Sequence, residues 1–91
     1  MRTTIKQLEN RVQWLNEITD MPLAPYTRAS NGKLSGNIGN YHLSGAYGGW
    51  ALHRMSNENG GISDVLQTGH VPKAELFSLI CAYMAGIELN K

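Results

Sequence analysis

The residues of this chain best able to do acid–base or metal chemistry are its three histidines, His42, His53 and His70. Their spacing does not suit a metal. No cysteine or second histidine stands three or four residues from any of them, so no metal site is expected. Ser44, His42 and Asp64 have the residue types of a nucleophilic triad, but no G-x-S-x-G surrounds the serine. The carboxylates Glu9, Glu17, Asp20, Glu58, Asp64, Glu75 and Glu88 form no close pair for general acid–base work. Neither a P-loop nor a dinucleotide fingerprint occurs. Gly36 to Gly39 has the G-x-x-G form of some RNA binders, without the flanking helices. The expectation is a protein that is no enzyme and uses no cofactor.

A set of residues suited to binding remains. It lies in Asn37 to Asn57, NIGNYHLSGAYGGWALHRMSN, where Arg54 is the only formal charge. Rings stack on bases, amides read base edges, and one guanidinium can hold a phosphate or carboxylate. Glycines let backbone N–H groups approach an anion. The candidate ligand-binding residues are Asn37, Asn40, Tyr41, His42, Tyr47, Trp50, Arg54 and Asn57, with His53 and Glu58 beside them. Taken singly, each has an ordinary alternative: Tyr41 and Trp50 as core, the glycines as turns.

These residues must be positioned by short elements. Thr4 with Gln7 makes a capping box, and Ile5, Leu8, Val12, Leu15 and Ile18 recur at spacings of three and four. A helix is expected over about 4–19, with Trp14 beside its stripe and an end before Pro22. Asn31-Gly32 between extended segments predicts a hairpin of 26–29 with 33–36. From Asn37 to Leu43 the pattern reads as a strand with Gly39 as a bulge. Ser44-Gly45 reads as a tight turn and Ala46 to Met55 as a further strand. Trp50, Leu52 and Arg54 share one side of that strand; Tyr47, Ala51, His53 and Met55 share the other. The pattern leaves open which side is buried. Gly48 and Gly49 imply a tight bend or a close approach by backbone or ligand. Ser63 to Leu66 reads as a short turn. Pro72 opens a last helix over about 72–89, with Leu76, Phe77, Ile80, Tyr83, Met84 and Ile87 as its stripe. Cys81 reads as a small core residue of this helix.

The fold class is therefore α+β, in the order α-β-β-β-α. A small antiparallel sheet carries two amphipathic helices on one face, and residues 1–91 form a single domain. The uncovered face is the natural place for an interface. A chain of 91 residues buries a modest fraction of its surface, which favours assembly into a homo-oligomer. Eight basic against seven acidic residues give no field for generic nucleic-acid binding. The single cysteine fits a reducing compartment. The N-terminal segment MRTTIKQLEN has no apolar signal core, and no run is long enough to span a membrane.

Two resemblances bear on function. The element order resembles that of the double-stranded RNA-binding domain, although its basic cluster at the last helix is reduced to Lys73, with His70 nearby. More extensively, NIGNYHLSGAYGG, then LHR, NE, GG and GHVPKAEL, resembles a short protein type carried by tailed phages and prophages. That resemblance runs from the IKQLENRVQWLN helix to YMAGIEL. It implies an accessory factor of the host-cell cytoplasm that blunts host defence. One route is to sequester a small nucleotide-derived signal in an oligomer; the other is to bind a host protein.

Overall fold

The computed structural model describes residues 3–89. Among them the order is α1 (Ile5–Ile18), β1 (Tyr26–Arg28), β2 (Leu34–Gly36), β3 (Tyr41–Ala46), β4 (Gly49–Met55), β5 (Ile62–Asp64) and α2 (Lys73–Leu89). The class is α+β, as expected, but with five strands in two antiparallel sheets rather than three strands in one. The sheets are β1-β2 and β3-β4-β5.

Helix α1 starts at the expected capping box. The Gln7 N–H donates to Thr4 Oγ1 at 3.2 Å, and the Thr4 N–H donates to Gln7 Oε1 at 2.8 Å. Two donors that a helix N-terminus would otherwise leave unpaired are thereby satisfied. The first hairpin also forms as predicted, with Thr27 opposite Ser35.

The second hairpin differs from expectation in one decisive detail. Its turn is Tyr47-Gly48, not Ser44-Gly45. Both turn residues have positive φ, 53° and 74°. That is the backbone a two-residue type I′ loop requires. Strand β3 therefore runs straight through Ser44 and Gly45. It also begins at Tyr41 rather than Asn37, because Gly39 (φ 94°) lies in a turn ahead of the strand instead of bulging within it. The third departure is β5, which replaces the expected turn at Ser63 to Leu66. It pairs His53 with Asp64 and Met55 with Ile62.

Both helices lie on one face of the three-stranded sheet. The core joins Leu8, Val12 and Leu15 of α1 to Tyr41 and Leu52 of the sheet and to Leu76, Ile80 and Met84 of α2. Burial at about 25 cal/mol per Å² of apolar surface makes this cluster the main favourable contribution to folding. Directly opposed residues of an antiparallel pair share a face, so the register places Tyr41, Leu43, Trp50, Leu52 and Arg54 on the helix side. That settles which side of β4 meets the helices. Trp14 stands 48% exposed under the Arg11 guanidinium, which also lies over Phe77. Cys81 is a half-buried free thiol.

The face away from the helices is not wholly bare. Met55 and Ala51 are buried there. A Cβ added at Gly36 of β2 would meet Met55 Sδ at 2.9 Å, so the first hairpin covers that end. No helix is long and apolar enough to cross a membrane.

Candidate functional site

The corrected turn is what assembles the site. With Tyr47-Gly48 at the tip, His42 falls opposite His53 and Ser44 opposite Ala51, on the face away from the helices. The third histidine arrives from the loop after β5. Trp50 and Val71 exchange backbone hydrogen bonds of 2.8 and 2.9 Å, which draws residues 70–71 against the start of β4. This approach needs glycine at 49. A Cβ there would lie 3.0 Å from backbone atoms of His70 and Val71. The two adjacent glycines thus serve the two purposes foreseen for them, Gly48 in the bend and Gly49 in the close approach.

The result is a row of rings in edge-to-face contact. Centroid distances are 5.8 Å for Tyr47–His70, 6.0 Å for His70–His53 and 6.0 Å for His53–His42. Such geometry sets the electropositive edge of one ring against the face of the next. Ser44 Oγ lies 3.2 Å from His70 Nε2. Asp64, opposite His53, accepts the Gly69 N–H on Oδ2 at 3.0 Å. Its Oδ1 is buried with no hydrogen-bond partner among the described residues. A buried acceptor left unpaired costs about 1–3 kcal/mol.

The protonation state of one ring follows from its neighbours. Asn40 Nδ2 donates to Pro22 O at 2.7 Å, which orients the amide. Its Oδ1 then faces His42 Nδ1 at 3.2 Å. An acceptor there requires a proton on Nδ1, leaving Nε2 of the neutral ring as an acceptor. Burial, reinforced by the charge of His53, pushes the His42 pKa below the usual 6.5. Burial also lowers that of His53, followed by an opposing pull from Asp64 and a further lowering by His70. Both rings are therefore predominantly neutral at pH 7. No three histidine, cysteine or acidic side chains among the described residues are arranged to hold a metal ion.

The residues proposed from sequence divide sharply. His42 and Tyr47 belong to the ring row, and Tyr47 is 98% exposed. Tyr41, Trp50 and Arg54 lie on the helix side of the sheet. Arg54 Nε donates to Gly39 O at 3.3 Å, and its guanidinium stacks 4.9 Å from the Tyr41 ring centroid. The Tyr41 hydroxyl pairs with that of Tyr83 at 3.0 Å, and burial with this bond raises its pKa to about 12. Asn40 is fully buried. Asn37 ties the first hairpin to the preceding linker, donating to Ala24 O at 2.9 Å and accepting from Thr27 Oγ1 at 3.0 Å. Asn57 closes its own loop by accepting the N–H groups of Asn59 and Gly61, each at 2.9 Å. Glu58 lines a separate hollow with Tyr26, Lys33 and Ser35.

Sequence reasoning set Ser44 and Asp64 in a trio with His42 and dismissed it, and did not connect Ser44 with His70. Opposing residues of the second hairpin have numbers summing to 95 once its turn is placed at 47–48, and this alone would have paired His42 with His53. The family models, the curated proteins and the solved structures yielded no match to this chain.

Proposed function

We propose that this is a non-enzymatic phage accessory protein that counters host defence in the host cytoplasm. On this reading it sequesters a small nucleotide-derived signalling molecule within an oligomer. The observation that carries the reading is the ring row on the sheet face away from the helices. Tyr47, His70, His53 and His42 offer stacking surface, with the Asp64 carboxylate beside His53. A purine or pyrimidine stacks on such rings at about 1–3 kcal/mol per base. Arg54, the one cation of the stretch, is committed to Gly39 and Tyr41 on the opposite side. Recognition thus rests on the nucleoside part of the ligand more than on its phosphate.

The test is a thermal-shift series with cyclic dinucleotides and ADP-ribose derivatives. A true ligand at a hundredfold excess over its Kd stabilises the fold by about 2.7 kcal/mol. His53→Ala should remove the shift while the unliganded protein stays folded. No shift with any of these compounds, together with copurification of a host protein, would instead support an inhibitor of a host defence factor. That second reading has its own observation: Tyr47 and Ile62 stand exposed at opposite ends of β4, as protein-contact residues do.

A further inference from the structure

We propose that two copies of the chain join through the outer edge of β3, antiparallel about a two-fold axis at Ser44. This names the interface of the oligomer in the functional reading, but it stands whether or not a nucleotide binds.

Strand β3 is an edge strand, paired with β4 on one side only. The direction of its backbone groups follows from β4. Trp50 exchanges both its backbone bonds with Val71, and Leu52 O accepts from Val65, so both residues point away from β3. Their partners Gly45 and Leu43 consequently point their own N–H and C=O away from β4, onto the open edge. Tyr41 points the same way, but α1 has already closed that position. Asn16 donates to Tyr41 O at 2.9 Å and accepts the Tyr41 N–H at 2.8 Å, as a neighbouring strand would. At the other end Tyr47 turns away at positive φ. Four polar groups are left, on two residues that flank Ser44.

A second copy matches that set. In antiparallel register about Ser44, Leu43 of each copy faces Gly45 of the other, and all four groups pair at once. A two-fold interface must be self-complementary in this way. Four hydrogen bonds are a poor return for a free peptide, which loses conformational entropy on ordering. A folded second copy presents the strand already ordered. The edge also lacks the usual protection: β3 contains no proline and no lysine, arginine, aspartate or glutamate. Val12, Gln13 and Asn16 of α1, with Leu23 and Leu43, form a groove of about 380 Å³ beside it. Joining the edges makes one six-stranded sheet. His42 and Ser44 of both copies then lie on one continuous face, so the ring rows of the two copies become neighbours.

The register is open to a direct chemical test. Ser44 would face its own copy in a non-hydrogen-bonded pair, with Cα atoms about 4.5 Å apart. That lies within the roughly 4.4–6.8 Å a disulfide spans. In a Cys81→Ala background, Ser44→Cys should cross-link on mild oxidation and double the 10.0 kDa chain mass on a non-reducing gel. Ala46→Cys, which would face His42 of the other copy, should not. Native mass spectrometry of the unsubstituted full chain should show the doubled mass without oxidation. A monomer at tens of micromolar would overturn the proposal. So would a dimer in which Ser44→Cys fails to cross-link or Ala46→Cys cross-links equally well.

Discussion

The two faces of the three-stranded sheet are made from alternate residues of the same two strands, yet they are finished differently. On the helix side the polar groups are matched: the Tyr41 hydroxyl with Tyr83, the Arg54 guanidinium with Gly39 O and the Tyr41 ring. On the far side the polar groups are gathered but incompletely matched. Three imidazoles, a serine hydroxyl and a carboxylate share one surface, and one buried carboxylate oxygen has no partner among the described residues. Folding stability favours the first arrangement, because unpaired buried polar groups are costly. The second is the arrangement on which the proposed ligand reading rests. On that reading one parity of the strand pattern serves the core and the other, apart from the buried Ala51 and Met55, serves the ligand.

Substitutions can break this contrast. The largest effect should come from Leu52→Ala, since Leu52 is 0% exposed in the core cluster that joins the sheet to both helices. A loss of roughly 2–5 kcal/mol is expected, seen as an earlier midpoint in urea. Arg54→Ala comes next. It removes a hydrogen bond and a ring contact of the fold, so about 1–2 kcal/mol of stability should be lost in the same titration. If Arg54→Ala instead left stability intact and abolished nucleotide binding, the assignment of the two faces would be wrong.

The pH dependence is a smaller effect. His42 and His53 have folded pKa values below 6.5, mainly through burial. Such groups favour the folded state fully above their unfolded value, and that contribution is lost as pH falls through 6.5 toward the lower folded value. The melting temperature should therefore drop across this window, and His42→Gln combined with His53→Gln should flatten the curve. A melting temperature that rises on acidification would contradict burial as the cause. The smallest stability change, within about 0.5 kcal/mol, belongs to Tyr47→Ala, whose side chain is 98% exposed.

The helices and first hairpin were legible because their signals are local. Thr4 and Gln7 cap within one turn, and Asn31-Gly32 selects its own loop. The second hairpin was misplaced because Ser44-Gly45 has turn composition, whereas the real turn puts a tyrosine at φ 53°, a backbone few non-glycine residues adopt. Moving the turn by three residues changed every cross-strand partner. Arg54 and Tyr41 resembled ligand contacts because composition does not report which side of a strand meets the helices. Asn16 could not be read at all: its bonds to Tyr41 span 25 residues and depend on how α1 lies against the sheet.

Native mass spectrometry of the protein taken from cells with an active nucleotide-signalling defence tests the central claim most directly. The unsubstituted chain should carry a non-covalent adduct of nucleotide mass. That adduct should be released on denaturation and absent from His53→Ala, and Arg54→Lys should retain it. An adduct that survives His53→Ala, or a chain that flies bare from such cells, would contradict the assignment of the histidine face as the ligand site.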